Sequence, residues 1–188
     1  MTIKIKANME SVEQFSKLLA KKKKKLPEAM GHAIKRTAAH GRTNIIGQIK
    51  DGTYIKDGII RERAKFERSG KMFAVVELNP SGRLGTRHFK GEQNENGVTF
   101  QIGPGEKLLL SRSAFMGPKL GKKNKKWKGN AFRRVGPNRK PIIKVLGVSP
   151  WGFFTKRNLV GPTQEHLQEW LTKRLVHELK RLFGLLGG

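Results

Sequence analysis

Between Glu106 and Glu165 the chain carries no acidic residue. Into that interval fall Arg112, Lys119, Lys122, Lys123, Lys125, Lys126, Lys128, Arg133, Arg134, Arg139, Lys140, Lys144, Lys156 and Arg157. Like charges held together repel, so a solvated surface normally mixes signs. A segment this one-sided is expected to stand off the body of the fold as a long loop or β-extension. It is also expected to meet a polyanion or an acidic protein surface.

The whole chain leans the same way. Lys and Arg number 40 against 14 Asp and Glu, a formal net charge of +26. An imbalance of this size favours nucleic acid, an anionic membrane surface or a strongly acidic protein as partner. The 188 residues fit one domain, expected to span 1–188 with the basic insertion at about 111–140. Hydrophobic residues make up 36%, and the 22 glycines bring the composition close to the globular range, so a core is possible. There is no Cys, hence no disulfide framework and no thiolate metal site. No apolar run approaches the ~20 residues of a membrane span. Met1-Thr2-Ile3-Lys4-Ile5-Lys6 lacks the apolar stretch of a signal peptide, so the expected compartment is a reducing cytoplasm.

The hydrophobic pattern predicts an α+β protein. Thr2 to Lys6 alternates polar and apolar, as a strand with one buried face does. Glu10 to Lys25 places Val12, Phe15, Leu18 and Leu19 on one helical stripe. A second helix is expected from about Pro27 to Lys50, with Met30, Ala33, Ile34, Thr37, Ala38, Ile45 and Ile49 on a narrow face of mostly small residues. Ile59 to Phe66 reads as a short basic helix. Lys71 to Leu78, Gly97 to Ile102 and Pro141 to Leu146 read as strands, the last one buried. Pro150 to Phe154 reads as an aromatic turn. At the end, Thr163 is expected to cap a helix in which Leu167, Leu171, Leu175, Leu179 and Leu182 repeat at helical spacing. The expected architecture is a small, mainly antiparallel sheet packed against the long second helix and this C-terminal amphipathic helix. No internal repeat is present.

Little in the chain suggests catalysis. His32, His40, His88, His166 and His177 show no metal spacing and no accompanying carboxylate cluster. Gly103-Pro104-Gly105-Glu106-Lys107 lacks the full phosphate-loop pattern and reads as a hairpin turn. Ser111 and Ser113 have no obvious base, and the acids form no pair. No catalytic, cofactor or metal residue is therefore assigned. The basic stretch differs. Lys122, Lys123, Lys125, Lys126 and Lys128 surround Trp127, and Arg133 and Arg134 follow. Lysines neutralise phosphates, and a tryptophan stacks on a base or anchors a protein interface. These eight residues are the candidate DNA- or partner-facing surface. A solvated loop is the plain alternative, and charge alone does not separate nucleic acid from an acidic protein.

Four segments, in order, resemble the prophage minor tail protein Z family, the tail-completion proteins of lambdoid long-tailed bacteriophages. They are Ala29 to Ala38; the basic Ile59 to Phe66; Ala131-Phe132-Arg133-Arg134-Val135 followed by Arg139-Lys140-Pro141-Ile142; and the C-terminal amphipathic helix. Met116 to Asn130 departs from the family pattern in being richer in Lys and Gly. The resemblance implies a structural virion protein of a siphophage rather than an enzyme. It would act at the head-proximal end of the tail, in tail completion and head–tail joining. The implied partners are its own copies in a homohexameric ring, and tail terminator, tail tube or head-connector proteins. Genomic DNA in the channel is a further implied partner, and a membrane is not. Assembly would take place in the host cytoplasm. The reading from charge alone leaves a non-catalytic nucleic-acid-binding protein of ribosomal or nucleoid type as the alternative.

Overall fold

The structure is a computed structural model and describes residues 2–6, 25–68, 73–80, 82–117 and 129–183. In chain order the elements are β1 (Thr2–Lys6), α1 (Leu26–Gly52), α2 (Asp57–Arg63), β2 (Ala64–Arg68), β3 (Phe73–Leu78), a 3₁₀ turn (Thr86–His88), β4 (Lys90–Asn94), β5 (Gly97–Gln101), β6 (Leu109–Arg112), β7 (Ala114–Met116), β8 (Ala131–Arg134), β9 (Ile142–Lys144), α3 (Pro150–Lys156) and α4 (Val160–Phe183). The fold is α+β, with a long helix in the N-terminal half and another at the C-terminal end. Among the described residues its strands form three small antiparallel sheets, ordered β1-β3-β2, β4-β5-β6 and β7-β8-β9, where the sequence suggested one. The helix expected from Glu10 to Lys25 lies almost wholly outside the described residues.

The chain divides into two compact units. One takes Met1–Ile46, Arg63–Asn79 and Arg157–Gly188; the other takes Gly47–Glu62 and Pro80–Lys156.

In the first unit, the small-residue face of α1 is the core. Met30, Ala33, Ile34, Thr37, Ala38 and Ile45 are all buried, as their spacing predicts. Helix α4 lies along α1 in the opposite direction. Leu167 sits over Gly41, where an added Cβ would come within 2.8 Å of its Cδ1. Farther along, Leu175, Leu179 and Phe183 pack on Leu26 and Met30. Of the expected leucine stripe, Leu167 and Leu171 are buried while Leu175 and Leu179 are half-buried. The acid Glu178 is 1% exposed in this packing, with Arg36 at 3.1 Å and Arg181 at 3.0 Å. Helix α1 is tied to the β1-β3-β2 sheet by Arg42, whose Nε donates to the Ala64 carbonyl at 2.6 Å.

Two expectations change here. The basic helix stops at Arg63, and Ala64–Arg68 runs on as β2. Strand β3 offers this segment a ladder, in which Ala64 faces Leu78 and Phe66 faces Val76. Ala64, Val76 and Leu78 are buried as a result. The last helix begins at Val160 rather than after a Thr163 cap. The Thr163 amide already donates to the Leu159 carbonyl at 3.1 Å, so the first turn is complete by then. Pro162 falls within that turn, where a missing N–H costs no helical bond.

In the second unit, Asn94 to Gly97 turns β4 into β5, and Gly97 takes φ 131°, open to glycine alone at little cost. Residues 102–108 join the paired strands β5 and β6, so the Gly103 loop is the hairpin connection expected. There the Tyr54 amide donates to the Ile102 carbonyl at 2.9 Å. A Cβ on Gly103 would run into the Gly52 carbonyl oxygen. The aromatic segment Pro150–Lys156 is a helix, not a turn. Ser149 caps it, its hydroxyl accepting from the Gly152 amide at 2.9 Å, and Pro150 occupies the first turn. Strand β9 is exposed rather than buried, because it is the edge of its sheet and pairs only with β8 among the described residues.

Candidate nucleic-acid interface

Arg133 and Arg134 lie on β8, the central strand of the β7-β8-β9 sheet, and both are exposed. Successive strand residues point to opposite faces, so the two arginines cannot share one. Arg133 stands across from Ala114 and Ile143. At the inner end of that face, Ala114 and Ala131 close over Val98. Arg134 shares the other face with Phe132, Phe115 and Lys144, by the pairings Phe132 with Phe115 and Phe132 with Lys144. Its guanidinium lies 5.8 Å from the Phe115 ring centre, and the Phe115 and Phe132 rings are 6.3 Å apart. One side of the sheet thus gathers two aromatic rings, Phe132 buried and Phe115 half-buried, with two cations.

Of the other cations here, Lys144 falls in the acid-free stretch but outside the candidate surface, and Arg87 falls in neither. Lys144 runs over Gly85, and a Cβ at Gly85 would collide with its Cε. Lys144 is held below the ordinary lysine range, first by the loss of water around it and then by the Arg87 guanidinium. Arg87 comes from the 3₁₀ turn, and its Nε donates to His88 Nε2 at 3.1 Å. Lys144 and Arg87 thus meet beside the β8–β9 pair, while Arg134, on the same face as Lys144, lies over Phe115. An anion beside Lys144 and Arg87 would offset both the loss of water and the repulsion that lower the Lys144 pKa. Spacing in sequence hides this group; only the β8–β9 register and the backbone pairing of Gly85 with Leu146 assemble it.

Lys122, Lys123, Lys125, Lys126, Trp127 and Lys128 lie outside the described residues. What is described is where that segment leaves and returns. The Gly117 amide donates to the Asn130 carbonyl at 2.9 Å, so the segment is the connection of the β7–β8 hairpin. Asn130 is buried, and the next amide, that of Ala131, donates to the Thr86 hydroxyl at 2.6 Å. The base of the connection is thereby anchored beside the turn that carries Arg87.

The first unit holds a different cluster. His40 and His166, which share no sequence spacing, meet with their Nε2 atoms 3.2 Å apart. The His40 ring stacks on Trp170 at 4.0 Å and 10°, and Arg174 lies 5.3 Å from the Trp170 ring centre. Partial burial holds His40 below its ordinary pKa, followed by His166 and Arg174. Among the described residues no group of three His, Cys, Asp or Glu side chains could hold a metal ion, and no helix is long and apolar enough to cross a membrane.

No family model, curated protein or solved structure matches this chain.

Proposed function

We propose that this chain is a structural virion protein of a long-tailed bacteriophage, completing the tail and joining it to the head without catalysis. In this reading copies form a ring, hexameric by the family resemblance, at the head-proximal end of the tail. The ring abuts tail terminator, tail tube or head-connector proteins, and its basic surface faces the DNA that passes through. The observation that carries the DNA-facing part is that Arg134 and Lys144 share one face of the β7-β8-β9 sheet, in a stretch with no acid to neutralise them, with Arg87 beside Lys144. The order of the four family-like segments supports the placement in the virion. The acid-free stretch supports equally a dedicated nucleic-acid binder of ribosomal or nucleoid type, and the same experiment separates the two.

That experiment is a duplex DNA titration at several salt concentrations, alongside assembly with tail proteins. A contact through phosphates lowers log K by roughly 0.9 per phosphate for each decade of salt. With about four cations engaged, going from about 50 to 200 mM salt should weaken binding on the order of a hundredfold. Changing Lys122, Lys123, Lys125 and Lys126 together to Ser should flatten the slope without unfolding the protein. Arg134→Ser should flatten it more than Arg133→Ser, since only Arg134 shares its face with Lys144. Affinity that ignores salt would refute a phosphate-facing surface. Tight DNA binding by the isolated protein with no assembly on tail proteins would favour the nucleic-acid binder.

A further inference from the structure

The β4-β5-β6 sheet carries a groove that the basic surface does not use. Its floor follows from strand register. Phe100 and Leu109 are directly paired across β5 and β6, so they point to the same face, and Ile102 follows Phe100 by two residues. Leu146 joins them because the Gly147 amide donates to the Leu84 carbonyl at 2.8 Å, holding that segment alongside. The four side chains, with Arg83 and Lys156, line a groove of about 390 Å³. Phe100 and Ile102 are buried, whereas Leu109 and Leu146 are 40% and 44% exposed.

Strand β6 beside it is an edge, pairing only with β5 among the described residues. Leu110 on it is 45% exposed, and Leu108 just before it is 58% exposed. Three consecutive leucines at an open sheet edge invite strand pairing, and folded proteins usually blunt such an edge. An edge left open beside an apolar groove suits an added strand: backbone bonds along the edge, with alternate side chains in the groove.

Charge selects the occupant. No acid lines the groove, and neither Arg83 nor Lys156 makes an ion pair among the described residues. A second copy of this chain, at net charge +26, opposes these cations with more of the same sign. So does the chain's own segment 118–128, which carries lysines and no acid. We propose that the groove and the β6 edge bind an extended acidic segment of a different protein, with alternate apolar residues seated on Phe100, Ile102, Leu109 and Leu146. This site stands whether or not the Arg134 face meets DNA.

The test uses the full chain and a fluorescent, end-blocked peptide of alternating Leu and Asp, followed by anisotropy. Saturable binding is expected. Leu109→Ser, and the pair Arg83→Glu with Lys156→Glu, should each weaken it by roughly tenfold or more. N-methylation of alternate peptide amides on the edge-facing side should abolish it. A Leu and Lys peptide should not bind. Circular dichroism checks that the variants, all at exposed or half-exposed positions, remain folded. Equal binding of the Lys peptide, or indifference to Leu109→Ser or to N-methylation, would overturn the proposal. Light scattering supplies another contrary outcome: Leu109→Ser reducing the oligomer while the peptide never binds would make a second copy the occupant. Loss of duplex DNA binding with the Glu pair, and no peptide binding by the wild type, would make the two cations part of a DNA surface.

Discussion

Glu178 is the most informative single residue to perturb. Its carboxylate is buried between α1 and α4, at 3.1 Å from Arg36 and 3.0 Å from Arg181. Neither contact is aligned as a hydrogen bond, so charge holds the group. Breaking a fully buried ion pair from one side costs ~3–5 kcal/mol, because a desolvated charge is left behind. Here the arginine side chains are 51% and 59% exposed, and water screens them. Arg181 also remains when Arg36 is removed. Arg36→Met should therefore cost about 1–2 kcal/mol. Glu178→Leu removes the buried charge and releases both arginines to water, so it should lie within about 1 kcal/mol of wild type. In the double variant, Arg36→Met should cost only a few tenths of a kcal/mol, giving a coupling on the order of 1 kcal/mol. Urea unfolding followed by circular dichroism measures all four corners of the cycle. An Arg36→Met cost that is the same with and without Glu178 would refute the reasoning. So would a Glu178→Leu cost above about 3 kcal/mol, which would mean that the carboxylate stabilises the helix pair outright.

Other consequences can be checked in the same unfolding assay. Gly103→Ala forces a methyl group against the Gly52 carbonyl, which is backbone and cannot swing away; a loss of about 3 kcal/mol or insoluble protein is expected, and a normal midpoint would contradict it. Leu171→Ala opens a cavity at a buried position of α4 and should cost ~2–5 kcal/mol, more than Leu175→Ala at its half-buried site. His40 has a lowered native pKa, so its neutral form is the one that suits the fold. Its contribution is intact above the ordinary value of 6.5, fades as the pH falls through it, and stops changing below the lowered native value. His40→Phe keeps a ring against Trp170 and should make stability fall less steeply from pH 7.5 to 5.5; an unchanged slope would place the pH dependence elsewhere.

The parts of the fold that were legible from the sequence are those carried by one periodicity. The buried face of α1 could be named residue by residue, since Ala33, Ile34 and Ala38 recur at helical spacing regardless of what packs on them. The strands Phe73–Leu78 and Gly97–Gln101 were equally plain from their β-formers and flanking turns. The errors fall where a partner decides. Ala64–Arg68 has a helical pattern of its own and becomes a strand because β3 offers a ladder. Ile142–Lys144 is apolar enough for a buried strand, yet it lies at an edge, and edge position is set by sheet order rather than composition. The helix at Pro150 had a local signal after all, in a serine followed by proline, and the aromatic residues after it masked that signal.

The candidate site fails to read out of the sequence for a related reason, and the consequence bears on function. A run of cations along a chain is a count of charges, whereas a polyanion meets charges on a surface. Strand alternation separates Arg133 from its immediate neighbour Arg134 and sends it to the face that closes over Val98. Antiparallel pairing then brings Lys144 to the Arg134 face, and the 3₁₀ turn brings Arg87 beside Lys144. The lowered pKa of Lys144 records first its loss of water and then the nearby Arg87 guanidinium. Like charges held close repel, so an anion placed beside Lys144 and Arg87 would gain more than one beside the same two residues on a solvated loop. The exposed leucines of β6 lie on another sheet of the same unit, where the physics is the reverse: apolar anchors and an open backbone edge, with only Arg83 and Lys156 to set the sign of the partner. With both proposed surfaces the chain would hold a polyanion and a protein by separate chemistries, which the proposed joining role requires and a general nucleic-acid binder does not.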